Sequence, residues 1–157
     1  VVISNITYLA YSSSLAGIFE EGTRYVLFRK IKRIRVDWRH VLCFGLGWGF
    51  GEALLLYAAA IVSAVYLSQL QLTLLEMLPG AIERNSTVAL HIGWTFIVFK
   101  ALAEKRFVFA AIALHAAIDF IAVTAFHIFG FGMWHVEGMI FVMALATVAY
   151  AYKLLWR

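Results

Sequence analysis

The chain has 157 residues, 64% of them hydrophobic and 14% charged, with a mean hydropathy of +0.87 and a single proline. A soluble domain carries about 25% charged residues, so an ordinary soluble protein is excluded and an all-α, polytopic transmembrane helical bundle is expected. The formal charge of +4 does not point to nucleic acid, because Lys and Arg fall in short segments between apolar runs, the positive-inside pattern of membrane topology.

A spanning helix needs about 20 apolar residues. The first run extends from about Ile3 to Leu27, with Ser12, Ser13 and Ser14 as an internal interruption, and ends in Arg29, Lys30, Lys32, Arg33, Arg35 and Arg39. The second covers about Val41 to Leu67. Ser68 to Asn85 is mixed; Pro79-Gly80 reads as a turn, and Leu67, Leu70, Leu74 and Leu78 suggest an amphipathic piece in the interface. The third run goes from Ser86 to Phe99, toward Leu102, and is followed by Lys100, Glu104, Lys105 and Arg106. The fourth covers Phe107 to Phe129, closed by Gly130-Phe131-Gly132, and the fifth Trp134 to Tyr152, ending in Lys153 and Arg157. Trp134, Tyr150, Tyr152 and Trp156 lie at run ends, where an aromatic belt belongs.

About five spans in one domain, residues 1–157, put the basic loops and the C-terminus on the cytoplasmic side of the cell membrane. The single cysteine, Cys43, excludes an internal disulfide. No signal peptide is visible, and the chain begins at Val1 without methionine, so helices upstream of it are an expectation.

Glu20, Glu21 and Arg24 fall inside the first span. A carboxylate at mid-bilayer costs roughly 2.5–3.5 kcal/mol on insertion scales, so adjacent acids there must face protein or a hydrated cavity. Spacing places further polar groups at their level. Glu20 lies nine residues before Arg29, Trp48 nine after Arg39, His91 nine before Lys100 and His115 nine after Arg106. At about 1.5 Å per residue, all four sit roughly 13–14 Å inside the cytoplasmic boundary.

Each has a partner at helical neighbour spacing: Arg24 for both glutamates, Glu52 for Trp48, Thr95 for His91 and Asp119 for His115. A carboxylate near an imidazole fixes its tautomer, and Arg24 can neutralise one glutamate while the other serves as a base. Glu52 serves either this site or a hydrogen bond to a neighbouring helix. His127 and His135 are read as solvated, and His40 as interfacial. Gly45, Gly47, Gly49 and Gly51 form a small-residue ridge for close helix approach.

The string Glu20-Glu21-Gly22-Thr23-Arg24 resembles the E-E-x-x-R/K motif of YhfC- and PrsW-type intramembrane proteases, within the superfamily of CAAX-prenyl and bacteriocin-processing proteases. Gly45 to Glu52, Glu83-Arg84 followed by His91, and His115-x-x-x-Asp119 resemble the later motifs in order, over about residues 15 to 120. The resemblance implies a bundle with a cavity where a glutamate, assisted by histidine, activates water against a peptide bond. Carried over, Glu20 is the base, Glu21 and Arg24 its neighbours, His91, His115 and Asp119 the polar shell, and Arg84 the outer anchor. Trp48 stands where YhfC-like members usually carry histidine; PrsW-like members have an aromatic there and a glutamate four residues on, as Trp48 and Glu52 do.

The leading expectation is therefore a glutamate-type intramembrane endopeptidase acting on membrane-anchored or membrane-proximal peptides. No cofactor is expected; the alternative is zinc held by His91, His115 and Glu20. His115 or His91 is the expected oxyanion stabiliser. A second reading is an inactive scaffold or substrate-binding subunit, with Trp48 filling the water site; the resembling superfamily distantly includes the anterior-pharynx-defective subunit of γ-secretase, a scaffold without proteolytic activity of its own. Proton-coupled transport fits less well, since no paired half-chains or broken helices are visible. Expected partners are membrane lipids and a peptide or membrane-protein substrate; the residues do not define an oligomeric state.

Overall fold

The structure, a computed structural model, describes residues 2–31 and 36–155, with side chains from residue 5 onward. Lys32, Arg33, Arg35, Trp156 and Arg157 lie outside the described residues. The described residues form five helices: α1 Val2–Ile31, α2 Trp38–Leu67, α3 Leu74–Lys100, α4 Arg106–His127 and α5 Met133–Leu155. Among them there is no strand. Lipid offers backbone N–H and C=O groups no partners, and a helix satisfies them within one segment. The all-α expectation holds.

α2, α4 and α5 are long and apolar enough to cross a membrane. α1 and α3, at 30 and 27 residues, are as long. Their apolarity is diluted by the charges they carry, Glu20, Glu21 and Arg24 on one, Glu83 and Arg84 on the other. Large apolar side chains such as Leu55, 72% exposed, and Phe109, 70% exposed, face outward. Water penalises that and hydrocarbon does not.

Several boundaries differ from the sequence reading. The three serines do not interrupt α1; the Ser12 and Ser14 hydroxyls donate to the Leu9 and Ala10 carbonyls of the preceding turn. Pro79-Gly80 is not a turn but lies inside α3. Thr73 and Glu76 form a capping box that starts this helix twelve residues ahead of the expected Ser86. Pro79 thus falls in the second turn, where the missing N–H removes a single ladder bond. Gly80 is small because a Cβ there would stand 2.6 Å from the Tyr57 ring, and the Tyr57 hydroxyl donates to the Met77 carbonyl. The proline and glycine mark a helix crossing. The proposed amphipathic leucine piece is divided: Leu67 ends α2, Leu70 lies in the link, and Leu74 and Leu78 open α3.

α3 is the central helix. It packs on α2 and α5 most extensively and also touches α1 and α4; α1 packs chiefly on α4 and meets α2 through long side chains, Phe28 against Phe44 and Glu20 and Arg24 against Trp48. Trp94, Leu90, Ile97 and Val98 of α3 join Phe28 and Ala111 in the core. The glycine ridge of α2 works on one side only. A Cβ on Gly45 would lie 2.9 Å from Ile92 Cα and one on Gly49 2.8 Å from Val88 Cα, whereas Gly47 and Gly51 have nothing within 4 Å. Residues four apart share a helix face and those between them point elsewhere. Gly49→Leu is therefore expected to lower stability by about 1–3 kcal/mol through overpacking. Gly47→Leu is expected to leave the thermal midpoint in detergent unchanged.

At the other end of α2, Asp37 accepts from the Arg39 and His40 N–H groups. Those bonds, the His40 backbone donor first, hold the exposed Asp37 carboxyl below its ordinary range. A depressed carboxylate stabilises above its unfolded value, so this cap persists at neutral pH and is lost only as pH falls below that range. His40, read as interfacial, completes the cap.

Candidate active site

Arg24 organises the interior. Its position three and four residues after the two glutamates puts all three on neighbouring stripes of α1. Nη1 reaches both Glu21 oxygens at 2.7 and 2.6 Å, and Nη2 lies 3.1 Å from His91 Nδ1 and 4.0 Å from Glu20 Oε2. The guanidinium also sits over Trp48, 4.6 Å from the ring centroid. Arg24 and Glu21 are fully buried. A buried ion pair persists only when its geometry and remaining hydrogen bonds offset the loss of water.

The neighbouring helices supply most of those bonds, although Arg24 Nε has no partner among the described residues. His115 on α4 places Nδ1 2.8 Å from Glu21 Oε1 and Nε2 3.3 Å from Asp119 Oδ2. Its ring stacks on Trp94, centroids 3.9 Å apart and planes 9° from parallel. His91 on α3 meets Glu52 Oε2 at 2.7 Å through Nε2. Glu52 also accepts from Arg84 Nη1 at 2.8 Å, and Arg84 pairs with its neighbour Glu83. Glu20 is the glutamate of the α1 pair that remains accessible, with its side chain 28% exposed. Its Oε2 accepts from Trp48 Nε1 at 2.9 Å.

These groups surround a cavity of about 350 Å³ whose wall includes Glu20, Glu52, Arg84, His91, His115 and Asp119. Glu21 and Arg24 stand behind that wall, where Glu21 meets Arg24 and His115, while Glu20 faces open space. A second groove on α2, lined by Gly47, Trp48 and Gly51, shares Glu20, Glu52 and Leu56 with it.

The pairings differ in part from those expected by helical spacing. Trp48 bonds Glu20, across to α1, rather than Glu52 on its own helix, and Glu52 bonds His91 and Arg84 instead. Thr95 donates its hydroxyl to the His91 backbone carbonyl. His40, His127 and His135 are exposed and outside the cluster. Buried groups that were not anticipated include Trp94, whose Nε1 has no hydrogen-bond partner among the described residues, and Glu137 of α5, whose Oε2 has none among them. Trp94 lies three residues after His91, a signal too common in apolar helices to single it out. Glu137 lies in an otherwise apolar run, where a lone carboxylate is itself a signal.

Among the described residues, two groups bring three possible ligand atoms within 4.8 Å of one another: Glu20, Glu21 and His115, and Glu20, Glu52 and His91. The expected zinc set of His91, His115 and Glu20 is thus divided between them: the two rings lie 6.1 Å apart, but His91 turns its nitrogens to Arg24 and Glu52, and His115 turns its own to Glu21 and Asp119.

The fold and this interior define a helical membrane protein with a buried charged cluster opening into a cavity. The chain matches the model of the family described as YhfC intramembrane metalloprotease over residues 2–73 and 65–143, and it belongs to that family. It is 33% identical to the uncharacterized membrane protein YhfC of Bacillus subtilis (strain 168), over 145 aligned residues covering 74% of this chain and 56% of the relative. The chain therefore spans little more than half that relative's length. No solved structure matches it.

Proposed function

We propose that this chain hydrolyses peptide bonds of membrane-anchored or membrane-proximal substrates, with Glu20 activating the water. The wider kinship with PrsW-type and CAAX-processing proteases belongs to the same reading, as do five membrane spans with the basic loops and C-terminus in the cytoplasm. One observation carries it: the two adjacent glutamates of α1 are held in different states. Glu21 is buried on Arg24 and His115, and Glu20 keeps an exposed face on the cavity. A base must reach its water, and an orienting carboxylate need not.

In this reading Glu20 takes a proton from water as its oxygen adds to the peptide carbonyl carbon. The C–N bond then breaks and the proton passes to the departing amine. His115 or His91 donates to the developing oxyanion. Asp119 and Glu21 orient His115, Arg24 and Glu52 orient His91, and Arg84 fixes Glu52.

The family description also names a metal. The mixed imidazole and carboxylate donors of the two groups suit a divalent cation of the zinc type. When bound, such an ion would polarise the carbonyl and acidify its water toward a pKa of about 7.

Membranes containing wild-type or Glu20→Ala protein test the function by proteomic comparison. At least one fragment is expected to disappear in the variant, and no difference under any condition would count against peptidase activity. The Trp48 bond to Glu20 supports a second reading, an inactive scaffold whose tryptophan occupies the water position. A folded Glu20→Gln protein with its biological output intact would favour that alternative.

A further inference from the structure

We infer that a divalent cation in this chain is held by Glu20, Glu21 and His115, with Asp119 behind the imidazole, and that His91 is not a ligand. The inference rests on the hydrolytic reading for the ion's purpose, but not for its binding.

Hydrogen-bond chemistry separates the two candidate groups. An arginine N–H can only donate, so His91 Nδ1, 3.1 Å from Arg24 Nη2, must accept. The ring proton is then on Nε2, facing Glu52 Oε2 at 2.7 Å. Ligation through Nε2 would move that proton to Nδ1 and set two donors against each other. His91 is already used, as a link from Arg24 to Glu52.

His115 has no such conflict. Both of its nitrogens face carboxylate oxygens, Nδ1 toward Glu21 and Nε2 toward Asp119, and carboxylates only accept. One nitrogen can ligate while the other donates to Asp119, the carboxylate–histidine–metal arrangement that orients ligating imidazoles. Arg24 occupies both Glu21 oxygens, but an ionised carboxylate offers about four lone-pair positions. Monodentate ligation of Glu20 would leave its other oxygen for the water.

The test uses the full chain, purified in detergent, loaded with Zn²⁺, dialysed, and examined by elemental analysis and zinc X-ray absorption. One zinc per chain is expected, with a single imidazole and oxygen donors around it. His91→Gln should retain the metal, His115→Gln and Glu20→Gln should lose it, and Asp119→Asn should weaken binding by about 10–100-fold. A shell with two imidazoles overturns the inference, and that measurement needs the wild-type protein alone. Equal zinc loss in His91→Gln and His115→Gln, or zinc that survives His115→Gln and Glu20→Gln alike, also overturns it. A folded wild-type chain that binds no zinc overturns the ion site and leaves peptide hydrolysis to the Glu20→Ala membrane comparison.

Discussion

Replacing Arg24 by methionine is expected to destabilise the folded chain by about 3–5 kcal/mol, the cost of leaving one buried partner of an ion pair uncompensated. Glu21 and Arg24 are both fully buried, and Arg24 provides two of the bonds that hold the Glu21 carboxylate. His115 alone cannot replace them, because it approaches only one Glu21 oxygen. The same change frees His91 Nδ1 and removes the cation over Trp48. The measurement is the thermal midpoint in detergent. A second variant separates charge from packing. Glu21→Leu combined with Arg24→Met removes both charges at similar volume, and such replacements are often neutral or stabilising. The pair is therefore expected to recover most of the lost stability while abolishing the site's chemistry. Arg24→Met protein as stable as the wild type would show that the interior tolerates a free carboxylate, and the cluster's structural role would fail.

The height of each polar group was legible because helical rise is fixed. Counting nine residues from a boundary lysine or arginine places Glu20, Trp48, His91 and His115 at one level whatever their neighbours are. Rotation about each helix axis is not carried by that count. Trp48 and Glu52 are neighbours in spacing, yet one turns to α1 and the other to α3. α2 also departs from regular geometry at Ala53–Ala58 and Ser63–Leu67, which are π-helical. A wider turn shifts the rotational register of every residue beyond it in the helix, and no residue type announces it. Tyr57 reaches Met77 and Gly80 from within the first of these turns.

The helix order in space was equally hidden. Apolar runs define length but not neighbours, and nothing in the α1 run names α4 as its partner. Pro79-Gly80 misled for a related reason. Proline and glycine mark turns when local conformation decides, whereas here Thr73 and Glu76 had already begun a helix and Gly80 was needed for contact with Tyr57. The capping box itself could have been read from Thr73-x-x-Glu76.

Glu20→Gln is expected to lower peptide hydrolysis by about 10²–10⁴-fold, the usual contribution of a positioned general base, with little change in the thermal midpoint. The two outcomes diverge because of where Glu20 sits. Its side chain is 28% exposed, lies 4.0 Å from the nearest Arg24 nitrogen, and keeps one close hydrogen bond, from Trp48. A glutamine of equal size can still accept that bond, so packing is retained while the charge and the basic oxygen are lost. Glu21→Gln should behave differently. It removes the charge facing Arg24 in a fully buried position, so both stability and turnover should fall. Trp48→Phe addresses the remaining question, because it keeps an aromatic ring on α2 and removes the N–H donated to Glu20. If that N–H merely positions the carboxylate, turnover should change by less than about tenfold, roughly 1.4 kcal/mol in barrier height. If Trp48 blocks the water position, hydrolysis should be absent in the wild type and in both glutamate variants. A folded Glu20→Gln protein cleaving at the wild-type rate would remove Glu20 from the chemistry, and with it the reading of an accessible base beside a buried twin.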